Sequence, residues 1–280
     1  MAQVYQGGPF RRRGNGWNWS VGNWRIPKLY RLAEEGLWDE IPDRVRRHPR
    51  EARFQLSELP NDTVLHRVVG PRLDWYFRAP PSPQRSNSNT SNSSNGDNSE
   101  NDSTAMLLAA VHSLLLVYPA GIDTTNAYGQ TPLHLACCGS QTSSRLAVAQ
   151  LLVQHCPQAA ARAEQTHGRT PLMMLILDNP WIVIEDESSK STKRNKSSSN
   201  SKSSMTSIAN QRLLQAARDL VESLCHADCM AWERPAHSGE TALSMALSYC
   251  SSNSNSRGRP LRLATDWLYP LLQHNEEAWR

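Results

Sequence analysis

The sequence predicts an all-α protein: a helical solenoid of about five irregular repeats with long disordered Ser/Asn-rich insertions. Three observations predict it. A threonine-centred motif recurs at Thr63, Thr131, Thr170 and Thr241. An apolar run ending in a marker residue precedes each threonine, with intervals of 15, 13, 14 and 16 residues from His48, Tyr118, Cys156 and Cys225. Ser82 to Thr104 and Ser188 to Ser207 are rich in Ser, Asn and Lys, with too little apolar surface to offset the entropy of ordering them. Removing these insertions of 23 and 20 residues turns threonine spacings of 68, 39 and 71 into 45, 39 and 51. Such a period belongs to stacked repeats, each of which buries its apolar face on its neighbours.

Taken in order, residues 1–26 form an irregular basic segment. Gly7-Gly8-Pro9 and Gly14-Asn15-Gly16 interrupt any regular element, although Trp17, Trp19 and Trp24 offer rings for docking on the body. The repeat domain covers 27–275, in units of about 27–60, 61–129, 130–168, 169–239 and 240–275, and 276–280 is a tail. Within a unit the threonine suits an N-cap, a following proline suits the first helical position, and leucine begins the buried stripe. Thr63 with Leu65, Thr131 with Pro132 and Leu133, Thr170 with Pro171 and Leu172, and Thr241 with Leu243 therefore mark four helix starts. In the third unit the first helix runs from Thr131 to Cys138, Gly139 to Ser144 is a turn, and Arg145 to His155 is the second helix. Leu146, Ala149, Leu152 and Val153 stand at helical spacing in it, and Cys156-Pro157 closes it. Both insertions, and a shorter Ser-rich stretch over 251–259, fall between the two helices of a unit, which places them on one edge of a solenoid.

Gly129-Gln-Thr-Pro-Leu-His-Leu-Ala136 resembles the core of the ankyrin repeat, Gly-x-Thr-Pro-Leu-His-x-Ala. Leu32-Ala-Glu-Glu-Gly36 followed by Asp39-Glu-Ile41 is similar to the first helix and turn of such a repeat without its threonine. The third unit matches closely. The second has Asn61-Asp62 where glycine is usual, and the fourth and fifth lose the histidine. The resemblance implies two antiparallel helices and a projecting hairpin per repeat, with His134, and His66 at the corresponding place, tying neighbouring repeats through hydrogen bonds. Cys137 and Cys138 then occupy positions of small, buried residues.

That reading competes with a chemical one. His134 lies three and four residues before Cys137 and Cys138, so on a helix the three share a face and offer an activated thiol or metal ligands. The repeat explains the same positions without further assumptions. Cys225-His226-x-x-Cys229 with His237 lacks the paired Cys-x-x-Cys spacing of a zinc site. No phosphate-cradling glycine loop, Gly-x-Ser-x-Gly elbow or His-Glu-x-x-His helix occurs. The expectation is a non-enzyme without cofactor or metal.

Residues 1–31 carry six cations and no acid, and residues 188–204 carry five and no acid, so the rest of a chain of net charge +4 is mildly acidic. Charge therefore gives no case for nucleic-acid binding by the body. The rival reading, a nuclear or nucleic-acid-associated factor, rests on these basic segments and on Lys193-Arg-Asn-Lys196, which fits a short nuclear-import pattern. Six scattered cysteines point to a reducing compartment, hence the cytoplasm or nucleus. The most apolar run, Ala105 to Tyr118, is too short to span a bilayer.

The expected function is a monomeric scaffold or adaptor that binds a protein partner on its concave face. The expected contacts come from the connections before the threonines: Asn126 and Tyr128; Arg162, Glu164 and His167; and Trp232, Glu233, Arg234 and His237. Trp232 has an equal alternative as a packed core residue.

Overall fold

The computed structural model describes residues 26–56, 61–70, 96–138, 142–179, 182, 184–185, 203–253 and 262–263. The segment 1–25, residues 82–95 and 188–202 of the insertions, Lys193–Lys196 and the tail 276–280 lie outside the described residues. The chain forms two compact units, Met1–Leu135 and Ala136–Arg280.

The first unit contains α1 (Lys28–Glu35), α2 (Ile41–Arg47), α3 (Val64–Val69) and α4 (Gly96–Val117). Helix α1 packs on α3 and α2 packs on α4, which gives two layers of helices. Leu29, Tyr30, Ile41, Val45, Val64, Leu65, Val111 and Leu114 fill the space between them. Burying each large aliphatic side chain contributes about 1.5–3 kcal/mol. Gly36, at φ 76, ends α1 in the left-handed conformation and donates its N–H to Leu32 O. Arg67 is nearly enclosed: it donates to the Tyr30 hydroxyl at 3.0 Å, lies 3.5 Å from Glu34 and 3.8 Å from Asp62, and sits over the Tyr30 ring.

Helix α5 (Pro132–Cys137) reaches the second unit, which contains α6 (Ser143–His155), α7 (Pro171–Asp178), α8 (Ser203–Ala227) and α9 (Ala242–Asn253). The two-layer pattern repeats, with α7 on α9 and α6 on α8. The four residues of α6 expected on its stripe are buried together with Val148.

The marker residues acquire a physical meaning. His48, Tyr118 and Cys156 each end a helix by leaving the helical region, with φ of −134, −137 and −146 and ψ of 62, 71 and 76, because a proline follows and disfavours helical backbone before it. Each accepts a bond from the residue three ahead, which starts the 3-10 turns Pro49–Arg53, Pro119–Asp123 and Pro157–Ala161. Cys225 does not share this role. No proline follows it, α8 continues to Ala227, and Asp228 makes the equivalent bonds, with its N–H to Leu224 O and its carbonyl to Ala231 N. The register of the fourth unit is thus corrected by three residues.

Two further expectations are corrected. Helix α4 begins at Gly96, inside the insertion read as disordered over 82–104, and α8 begins at Ser203, inside that over 188–207. Helix α9 likewise runs to Asn253, into the Ser-rich stretch 251–259. In each case a helix nucleated by an apolar run extends into polar neighbours, because adding a residue to an existing helix costs far less than starting one. The all-α expectation holds, and one two-residue pair stands beside the helices: Ile184–Glu185 pairs antiparallel with Arg262–Leu263. Ile184 is β-branched, which suits an extended backbone.

Candidate functional site

Each of the four motif threonines is preceded by a tight turn whose second-last residue has positive φ: Asn61 at 61, Gly129 at 74, Gly168 at 72 and Gly239 at 80. Asn61 thus does glycine's work, since asparagine tolerates the left-handed region. Behind the turn, Thr63 caps α3. Its hydroxyl accepts from His66 N while its own N–H and hydroxyl meet His66 Nδ1, at 3.3 and 2.7 Å. The other ring nitrogen, Nε2, lies 3.0 Å from the carbonyl of Gln130, in the turn before the next threonine. A carbonyl only accepts, so Nε2 carries the proton and His66 is neutral. Burial and the nearby His134 ring push its pKa down to about 4, against the opposing bond to Gln130. His134 makes the same bonds to Thr131, at 3.2 and 2.9 Å. In the fifth unit Ser244 replaces the histidine, accepting from Thr241 N at 2.8 Å while its own N–H reaches the Thr241 hydroxyl at 3.1 Å. Thr131, Pro132, Leu133, Thr170, Pro171, Leu172, Thr63 and Leu65 are buried, and Thr241 and Leu243 are half-buried.

The turns divide the expected contact residues into two groups. Asn126 is buried, and its Oδ1 accepts from Tyr128 N and Gln130 N, both at 3.0 Å. Glu164 is buried too. Burial alone would raise its pKa, but the N–H groups of Thr166 and His167, at 2.8 and 2.7 Å, hold it below the usual range. Trp232 is fully enclosed and its indole Nε1 meets no oxygen or nitrogen acceptor. These three are corrected from contacts to framework: short polar side chains before a tight turn are drawn into bonding its backbone, and a large ring is drawn into the core. Arg234 is partly exposed and forms a two-pronged pair with buried Asp228 at 3.1 and 3.2 Å.

The remaining residues face solvent. Tyr128 is 46% exposed at the tip of its turn in the first unit. In the second unit Arg162, His167, Glu233 and His237 are exposed. His237 N donates to His167 O at 2.7 Å, which joins the two turns into one ridge. Sequence reasoning missed Leu177 and Leu247, exposed at 41% and 48% on α7 and α9. A helical wheel carries the signal for Leu177: it falls off the stripe that Leu172, Leu175 and Ile176 bury.

The Cys137 and Cys225 thiols are unsuited to nucleophilic chemistry. Burial pushes the Cys137 thiol well above its ordinary value. Burial also pushes Cys225 up to about 12, against the opposing approach of the Trp232 indole N–H. Attack requires the thiolate, which these environments disfavour. Cys229 is exposed while Cys225 is buried, and His226 lies 3.7 Å from Glu222. Among the described residues no group of three or more His, Cys, Asp or Glu is placed to hold a metal ion. No helix among them is long and apolar enough to cross a membrane.

Residues 104–184 match a family model described as ankyrin repeats in three copies. The match contains the turns and helix starts at Thr131 and Thr170. A comparison with curated proteins finds no match.

Proposed function

From the premise that this is an ankyrin-repeat protein, with the repeats matched over residues 104–184, we propose that it is a non-catalytic scaffold. It binds a protein partner through the turns and the threonine-started helices. Ankyrin repeats are in general protein–protein interaction modules. The observation that carries the reading is the turn ridge of the second unit. Its frame is satisfied internally, by Glu164 on two backbone N–H groups, by Asp228 on Arg234, and by the bond between the turns. Such a frame presents Arg162, His167, Glu233 and His237 in fixed positions, so that docking orders little on this side. Leu177 and Leu247 supply apolar area on the helices that these turns precede. A monomer in the reducing cytoplasm suits its free thiols.

The test is affinity capture with the intact chain and with a variant changed to alanine at Tyr128, Arg162, His167, Glu233 and His237, after both are shown to be folded. A partner held by the intact chain and lost by the variant supports the ridge as the interface. Equal capture by both refutes it.

A further inference from the structure

We propose a second docking surface, distinct from the turn ridge, formed by the outer face of α4 and the basic segment Arg46–Arg53, whose occupant is an acidic peptide with apolar side chains. Helix α4 has no charged residue from Ser103 to Val117 apart from the titratable His112, yet it is not enclosed. Met106 is 46% and Leu116 69% exposed, and Ala105, Ala109 and His112 are exposed between them at helical spacing. The other two long second-layer helices differ. Helix α6 exposes Gln154 and His155, and α8 exposes Gln211, Arg212, Gln215, Glu222 and His226. A solvent face of the α4 kind is what an interaction site shows.

The basic segment meets one end of this stripe. Arg46, Arg47, His48, Arg50 and Arg53 are exposed. Arg53 stacks over Tyr118 at 6.0 Å, two residues beyond Leu116, and α2 packs along α4. Most of this charge is unmatched. Arg44 is absorbed by Glu51, and Arg46 and Arg47 share the single carboxylate of Asp43 at 4.0 and 2.9 Å. Arg50 and Arg53 pair with no carboxylate among the described residues.

Charge complementarity selects the occupant. Guanidinium forks recognise carboxylates in a planar, two-bond geometry, and the adjoining stripe takes aliphatic side chains. Single-stranded nucleic acid fits less well. The aromatic ring at this edge, Tyr118, already carries Arg53 over one face, so a base stacking there must displace that guanidinium.

The test is fluorescence anisotropy with the full chain and three labelled probes: a short Glu/Leu peptide with one acidic and one apolar face, its Lys/Leu counterpart, and a single-stranded oligonucleotide. The expected result is saturable, salt-sensitive binding of the Glu/Leu peptide alone. Joint Arg46→Glu, Arg47→Glu and Arg50→Glu should weaken it about tenfold or more, and Leu116→Asn several-fold. Where the reversed charges lower the unfolding midpoint, the same three positions changed to glutamine serve instead, with the same expectation. Failure of the Glu/Leu peptide to bind, or binding that neither variant alters, overturns the proposal. Tighter binding of the oligonucleotide, lost in the arginine variant, overturns the choice of occupant and assigns the surface to nucleic acid. Neither outcome bears on the turn ridge, whose residues all these variants retain.

Discussion

Lowering the pH should loosen the second and third repeats through His66, by an amount the structure allows to be worked out. Its Nδ1 accepts from Thr63 and its Nε2 donates to Gln130 O, so the buried ring has no room for a second proton without losing both Thr63 donors. The pKa is about 4 in the folded protein against an ordinary 6.5. Between these values the unfolded chain binds a proton that the folded one refuses, so stability rises with pH across the window. The contribution is complete above about pH 6.5 and is lost as pH falls towards 4. At 1.36 kcal/mol per pH unit it amounts to about 3 kcal/mol. The assay is urea unfolding between about pH 7 and pH 4.5, followed by far-ultraviolet circular dichroism, on the intact protein and on His66→Gln. The glutamine variant is less stable at neutral pH, having lost the ring's bonds, but it should lose less on acidification. Carboxylates such as Glu51 and Glu164, both held below their usual range, titrate alike in the two proteins and cancel in the difference. A difference that stays constant from neutral pH to 4.5 would refute the argument that His66 is buried in its neutral form.

Gly168→Ala should cost about 2–3 kcal/mol, from left-handed backbone strain and from a methyl group pressed against His237 N at 2.8 Å. Gly239→Ala shares the strain, with φ 80, but meets nothing within 4 Å, so about 1 kcal/mol is expected. Thermal unfolding of the two variants checks the order, and an equal loss would show that the close approach contributes nothing. For the thiols, limited treatment of the native protein with iodoacetamide should label Cys229 well before Cys137 or Cys225, read by peptide mass spectrometry. Early labelling of Cys137 would contradict its burial and raised pKa.

Much of the local structure was legible because it follows from residues close in sequence. The motif threonine two residues before a leucine starts a helix at all four positions, and a proline after His48, Tyr118 or Cys156 stops one. Where the local rule was absent, the reading slipped. Cys225 ends an apolar run at a fitting interval from Thr241 but has no proline after it, and the true equivalent is Asp228. The starts of α4 and α8 were hidden because serine and asparagine argue against helix individually, whereas propagation from an apolar run is collective. Within the candidate site, the turns and their glycines could be found by motif. The division of side chains between frame and surface could not, because asparagine or glutamate before a turn looks the same whether it bonds the backbone or faces solvent.

The sequence by itself determined the repeat, its helix starts, the positions of the turns and the place of the insertions, all of which depend on the preferences of a few neighbouring residues. Tertiary structure alone decided the rest. It placed the Gln130 carbonyl against His66, enclosed Trp232, and left Leu116 and Leu247 in solvent. It also gathered Tyr30, Glu34 and Asp62 around one arginine. These outcomes join residues up to 64 positions apart in the chain. Burial is set by what packs on a residue, and that is a property of the stacked repeats rather than of any segment read in isolation.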